Sequence, residues 1–251
     1  MDLGLRDRVF LVTGGARGLG RATADELVGE GARVVISSRT AASVSRAAHD
    51  LGEQAVGVVA DNADPDTPSR LVGAALERWG RLDGALVSVG GPPRGPVTTV
   101  TDEQWTASFG SVFLGAVRLA RQVGEVLGPG GSIAFVLSTT ARAPQADMAL
   151  SNGLRPGLAM VAKTLADELG PAGIRVNGLL PGRVHTERLE ELEEASGDPA
   201  AARRAGLAEV PLGRYGEPAE FGRVAAFLLS PASSFVSGAM VPVDGGMLRA
   251  L

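Results

Sequence analysis

Short runs rich in Val, Ile and Leu alternate with amphipathic stretches from one end of the chain to the other, and few folds accept that order. The apolar runs are Val9–Val12, Arg33–Ile36, Ala55–Val59, Ala85–Val89, Ser132–Leu137, Arg175–Leu180 and Met240–Val243. Each is bounded by Gly, Asp or Asn, as expected of parallel strands covered on both faces. Between them, helical periodicity predicts helices over Leu19–Gly29, Ala41–Leu51, Pro65–Trp79, Asp102–Leu127, Pro156–Leu169 and Pro218–Leu229. Repeated βαβ units joined by right-handed crossovers give an α/β fold, a three-layer doubly wound parallel sheet of the Rossmann type. A chain of 251 residues fits one such domain, and no repeat or linker divides it, so residues 1–251 are read as a single domain.

Composition removes several classes of function. No apolar run reaches the roughly 18 residues of a membrane span, and Met1-Asp2-Leu3-Gly4 does not begin a signal peptide, so a cytoplasmic protein without a membrane partner is expected. There is no cysteine, which excludes disulfides and thiol nucleophiles. His49 and His185 are far apart, so no metal site is expected. A net charge of −4 gives nucleic acid no purchase. Of the 24 basic residues only Lys163 is lysine, a bias that weakens any inference from arginine standing where lysine might.

The first strand runs into Thr13-Gly14-Gly15-Ala16-Arg17-Gly18-Leu19-Gly20, which opens the first helix. Gly14 permits the tight turn, Gly18 lets backbone approach a pyrophosphate, and Gly20 lets helix and strand pack closely. The helix N-terminus offers free N–H groups and the positive end of a dipole. In this strand–turn–helix context the glycines predict a dinucleotide site. An NAD-selective site would carry Asp or Glu about 20 residues on, at the ribose 2′-hydroxyl. Ser37, Ser38 and Arg39 stand there instead; Arg39 and Arg17 suit a 2′-phosphate, so the expected cofactor is NADP(H). Asp61 after the third strand is placed either to meet the adenine amine or to cap a helix, with Asn62 beside it.

Residues 183–214 break the alternation. They follow Pro181-Gly182, include the acidic helical run Glu187–Glu194, and extend from the carboxyl end of a late strand, where α/β sheets bind ligands. They read as a substrate lid or as a solvated helix pair. Gly90-Gly91-Pro92-Pro93-Arg94-Gly95 reads as a rigid cleft wall with one positive charge, suited to an acidic group.

Taken together, Thr-Gly-x-x-x-Gly-x-Gly at 13–20, Asp61, Gly170-Pro171-Ala172-Gly173-Ile174-Arg175-Val176-Asn177, Pro181-Gly182 with Thr186, Pro211-Leu212-Gly213-Arg214 and Val243-Asp244-Gly245-Gly246 resemble the short-chain dehydrogenase/reductase family over nearly the whole chain. The resemblance implies ketone reduction or alcohol oxidation with a nicotinamide cofactor. It implies that Gly90, Pro181, Gly182 and Thr186 border that cofactor, and that the chain forms dimers or tetramers. The family's active-site pattern is only partly present. Where its members carry Asn-Asn-Ala-Gly after the fourth strand, this chain has Val87-Ser88-Val89-Gly90, and an asparagine of the next helix aligns with Val112. The family's serine is retained as Ser138, but its tyrosine position holds Ser151 and its lysine position holds Arg155.

A tyrosine with its pKa lowered by a neighbouring cation can pass the proton that accompanies hydride transfer. A serine hydroxyl is a far weaker acid, and arginine stays protonated. Ser138, Ser151, Arg155 and His185 are the candidate catalytic residues, His185 because histidine titrates near neutrality; Asp147 is a further acid in the preceding loop. Pro156 predicts that its helix begins near Leu154 or Arg155, leaving Ser151, Asn152 and Gly153 in a turn where Ser151 or Asn152 caps the helix. Three functions fit: an NADP(H)-dependent oxidoreductase with a rebuilt proton route on a small-molecule carbonyl or alcohol, a redox-inert NADP(H) sensor, or a non-redox lyase or isomerase using the same cleft.

Overall fold

The computed structural model describes residues 2–250; Met1 and Leu251, the two ends of the expected domain, lie outside the described residues. Seven parallel strands form one sheet in the order β3-β2-β1-β4-β5-β6-β7. They are β1 (Val9–Val12), β2 (Arg33–Ser38), β3 (Ala55–Val59), β4 (Gly84–Val87), β5 (Ser132–Val136), β6 (Arg175–Pro181) and β7 (Met240–Val243). All residues of β1, β4 and β5 are buried, which is why these runs are apolar without alternation. The expected Rossmann-type sheet is present, with strand limits shifted by at most two residues; β4 runs Gly84–Val87 rather than Ala85–Val89.

Helices cover both faces. Against one pack α1 (Gly18–Gly29), α2 (Ala41–Leu51) and α9 (Pro218–Leu229), burying Leu27, Val44 and Phe221 with Phe10 and Ile36. Against the other pack α3 (Thr67–Trp79), α5 (Gly115–Val126) and α6 (Ala149–Leu169), burying Leu71, Leu119 and Leu158 with Phe135 and Ile133. Phe135 is fully buried, and truncating such a side chain costs about 3–5 kcal/mol.

The stretch expected as one helix over Asp102–Leu127 is α4 (Asp102–Ser108), a π-helical turn over Phe109–Leu114, and α5. Thr101 and Gln104 form a capping box at the start of α4. The π turn delivers Val112, buried, toward the cleft and brings Gly115 against the Asn62 carbonyl, where no Cβ fits.

The end of the sheet explains one motif in purely structural terms. Arg175 is buried and donates from Nη1 to the Leu228 carbonyl and Ser233 Oγ, both at 2.8 Å, and from Nη2 to the Ser230 carbonyl at 2.9 Å. It thereby closes the C-terminal end of α9. Asn177 donates to the Val236 carbonyl and accepts from Ala239 N–H, holding the link into β7.

α6 corrects the expectation drawn from Pro156. It starts at Ala149, so Ser151, Asn152 and Gly153 are helical and Pro156 lies inside the helix. Neither Ser151 nor Asn152 is the N-cap; Met148 occupies that position without a side-chain bond. Proline removes one helical hydrogen bond and crowds the carbonyl four residues back. Tertiary bonds hold the first turn regardless. Ala149 N–H donates to the Gly95 carbonyl, and Asn152 bonds the Gln145 backbone through both ends of its amide. Gly153 packs so close to Trp105 that an added Cβ would lie 2.7 Å from the ring.

Beyond Pro181, residues 183–214 form α7 (Glu187–Glu194) and α8 (Pro199–Ala208). Thr186 caps α7 and Asp198 caps α8 through Ala201 N–H. The segment closes on itself where Val184 bridges Gly216.

Candidate active site

A cleft of about 1120 Å³ lies across the carboxyl ends of the strands. It includes the crevice between β1 and β4, where the strand order reverses and open α/β sheets bind ligands. One half is lined by Ser37, Ser38, Arg39, Asp61 and Asn62 at the ends of β2 and β3. The other is lined by Val89, Gly90, Ser138, Ser151, Arg155 and Pro181 at the ends of β4, β5 and β6.

The glycine turn joins the halves. Gly14 and Gly18 have φ of +62° and +56°, which β-carbon-bearing residues rarely adopt. A Cβ on Gly20 would collide with the Gly14 carbonyl, and one on Gly15 would lie 2.8 Å from Ile36 Cβ. Arg17, at the N-cap of α1, makes no side-chain cap bond, so the first N–H groups of the helix remain open toward the cleft with Leu19 beside them. These features fit a dinucleotide pyrophosphate. Thr13 differs from its expected role. It is fully buried and does not line the cleft; its Oγ1 donates to the Ser88 carbonyl at 2.6 Å and accepts from Ser88 N–H at 2.8 Å, tying the turn to the end of β4.

At the ends of β2 and β3 Arg39 is exposed and lines the cleft with Ser38, and no carboxylate stands at the end of β2. Arg17 reaches across to α7 and pairs with Glu191 at 2.6 Å. That guanidinium, with Arg188 beside it, holds the Glu191 carboxyl below the usual range. Asp61 lines the cleft, but its Oδ1 accepts from Ala63 N–H in its own turn, so it does not cap α3.

On the other side the helical path of α6 puts Ser151 and Arg155 one turn apart on the face that looks into the cleft. Ser151 is buried, its Oγ 2.8 Å from Thr140 Oγ1. Ser138 Oγ accepts from Thr140 N–H at 3.1 Å, which leaves its own hydrogen free to donate. Arg155 is fully buried. Its Nη1 donates to the Val136 carbonyl at 2.9 Å, its Nε has no partner, and burial alone pulls its pKa down to about 10.

His185 does not join this group. Its Nε2 lies 2.8 Å from Glu190 Oε1, and it lines a separate depression between α1 and α7. Asp147 is exposed with φ of +56° and lies off the cleft, as does Lys163, whose ammonium packs at Gly238. Gly90, Gly182 and Thr186 line the cleft, although the Thr186 hydroxyl is engaged as the cap of α7. Arg94 also lines it, from the wall that follows β4.

Two residues went unnoticed in the sequence. Tyr215, the single tyrosine, is buried under α8 and donates to Glu193 Oε1 at 2.7 Å; burial and that carboxylate push it up to about 12. Glu193 is itself nearly buried and lines the cleft. The acidic run of α7 concealed it among solvated neighbours; only helical phase, placing Leu189, Leu192 and Glu193 on one side, distinguished it.

The fold and the cleft define a Rossmann-type protein whose cleft runs from an open helix N-terminus to hydroxyl donors at its far end. Residues 14–248 match the family model described as enoyl-(acyl carrier protein) reductase. The chain is 34% identical over 257 residues to an L-rhamnose 1-dehydrogenase (NAD(P)(+)) of Azotobacter vinelandii, covering 97% of each. It is 32% identical over 275 residues to a cyclohexanol dehydrogenase of Rhodococcus sp., covering 98% of each. The structure of L-sorbose reductase from Gluconobacter frateurii, complexed with NADPH and L-sorbose, superposes with a TM-score of 0.91 at 29% identity over the whole of both chains. The chain belongs to the short-chain dehydrogenase/reductase family of oxidoreductases.

Proposed function

We propose that the protein is an NADP(H)-dependent oxidoreductase acting on the carbonyl or alcohol group of a small molecule, with a proton route that uses no tyrosine. One observation carries this reading: a single cleft joins the open N-terminus of α1 to the free hydroxyl of Ser138. A redox-inert sensor would need only the first half. The dehydrogenases among the relatives and the NADPH-bound reductase support the chemistry by similarity.

Gly14, Gly18 and Gly20 with the α1 terminus would hold the pyrophosphate, Ser38, Arg39 and Arg17 the 2′-phosphate, and Asp61 with Asn62 the adenine. Gly90, Pro181 and Gly182 would border the nicotinamide, which supplies or accepts the hydride. Ser138 Oγ donates to the substrate oxygen as negative charge grows on it, and preorganised donors of this kind are worth most in the transition state. Ser151 is hydrogen-bonded to the Thr140 hydroxyl and orients rather than ionises. The proton that completes an alcohol comes from water in the cleft. Tyr215 is no substitute, being outside the cleft and bound to Glu193. Residues 183–214 act as a lid, with Leu192, Glu193, Ser196 and Ala202 over the substrate end. No helix among the described residues is long and apolar enough to cross a membrane, and the cytoplasm is the proposed compartment.

A panel of ketones and ketoses with NADPH tests the reading. Turnover of at least one member is expected, with Ser138→Ala lowering kcat by about 10²–10³-fold and Ser151→Ala costing less than tenfold. Tight NADPH binding with no turnover across the panel would leave the sensor reading instead. Loss of turnover in Ser151→Ala, with Ser138→Ala still active, would overturn the roles of the two serines.

A further inference from the structure

Two arginines are buried among the described residues, and they are not alike. Arg175 finds the Leu228 and Ser230 carbonyls and the Ser233 hydroxyl, so its donors are satisfied by fixed oxygen atoms. Arg155, more deeply buried, finds one carbonyl, Val136 O, while its Nε is sealed without a partner. No acidic side chain pairs with it among the described residues, and it lines the cleft beside Ser151. Removing a charge from water without a counter-ion is costly, so a protein that keeps one there places an uncompensated positive potential on whatever binds nearby.

The topology says which part of a dinucleotide that is. Strands β2 and β3 lie on one side of the switch point and would receive the adenosine half; the redox-active half would then cross to the ends of β4, β5 and β6. Val136, to which Arg155 is bonded, is the last residue of β5. We propose that Arg155 is a selectivity residue for cofactor redox state: its fixed charge favours the neutral dihydronicotinamide of NADPH over the cationic ring of NADP⁺. The inference rests on the NADP(H) reading above. Its consequence is directional, since the protein loads the reduced cofactor and releases the oxidised one. Arginine serves this better than lysine because it cannot lose its proton in the working pH range, even with burial pulling it down.

Two like unit charges about 8 Å apart in a medium of effective dielectric near 20 repel enough to weaken binding by roughly 30-fold. NADPH and NADP⁺ carry the same phosphates, so the ratio of their affinities isolates the ring. Calorimetric titration of the wild type, Arg155→Lys and Arg155→Met with both nucleotides therefore tests the inference without any substrate. The wild type is expected to bind NADPH at least tenfold more tightly than NADP⁺, on the order of the repulsion above. Arg155→Lys is expected to keep most of that ratio. Arg155→Met, which removes the charge and retains an unbranched side chain, is expected to bring the two affinities within about threefold, chiefly by strengthening NADP⁺. A wild-type ratio near one, or a ratio unchanged in Arg155→Met, overturns the inference while leaving the cofactor assignment standing. Failure of the wild type to bind either nucleotide overturns both.

Discussion

Arg155 and Arg175 make opposite predictions for stability because one has a single carbonyl partner and the other holds several. Arg155→Met removes an unpaired buried cation and is expected to raise the free energy of unfolding by about 1–3 kcal/mol. Arg175→Met removes the charged donor shared by the Leu228 and Ser230 carbonyls and the Ser233 hydroxyl, and is expected to lower it by about 1.5–3 kcal/mol. Urea denaturation of the two variants checks both signs, and equal effects would show that burial outweighs partnering. Tyr215 gives a second reading at this scale, since as the single tyrosine it can be followed by phenolate absorbance. Its neutral form is favoured in the folded state, so its contribution is full below the unfolded value of about 10 and is lost as pH rises through about 12. A titration midpoint near 12 is expected, and one near 10 would mean that the contact with Glu193 does not form in solution. None of these environments was legible in the sequence. Arg155 read as a candidate catalytic residue whose burial no pattern disclosed, and Glu193 as one acid among several, because a one-dimensional pattern does not show which charge loses its water.

The helices α2 and α9 and the strands β3 and β7 carry the limits that periodicity predicts; Gly52 closes α2 and Pro218 opens α9. α6 does not, and the reason is physical. Pro156 weakens the helix locally, but the bonds from Asn152 to Gln145 and from Ala149 to Gly95 lie outside any local window. The consequence concerns repair of the site. With Ser151 in a displaced turn, restoring the family's pair would fail; with Ser151 and Arg155 a turn apart on the cleft face, it should succeed. Ser151→Tyr with Arg155→Lys is expected to raise kcat/KM for a simple ketone by about tenfold or more, the low end of what a positioned acid contributes. No gain in a folded double variant would mean that the neighbourhood, Val112 included, blocks the relay even where the backbone permits it. The π turn over Phe109–Leu114 was likewise invisible, because a one-residue widening of a helix leaves its apolar periodicity nearly unchanged.

At the scale of the whole molecule, the sheet and its crossovers were legible because burial on both faces leaves apolar runs in the central strands β1, β4 and β5, and the glycine turn because Gly14 has a positive φ and steric exclusion permits nothing larger at Gly20. The surface shows a further property. Phe109, stacked on Phe113, and Met160 on neighbouring α6 stand 46% and 67% exposed, a patch a lone subunit has little reason to keep. We expect a homodimer or tetramer formed through α4, α5 and α6, with light scattering showing dissociation in Phe109→Glu with Met160→Glu; a monomeric wild type at micromolar concentration would contradict this. Cofactor choice was read from an absence, since no acid follows β2 to hold a ribose hydroxyl and Arg39 stands at the cleft. The ion pair between Arg17 and Glu191 adds a condition that the sequence did not reveal: Arg17 must leave α7, or be shared with it, to meet a phosphate. Titration of the wild-type protein with NADPH and with NADH is therefore the deciding measurement. NADPH is expected to bind at least tenfold more tightly, a difference of about 1.4 kcal/mol, and equal affinities or a preference for NADH would contradict the assignment.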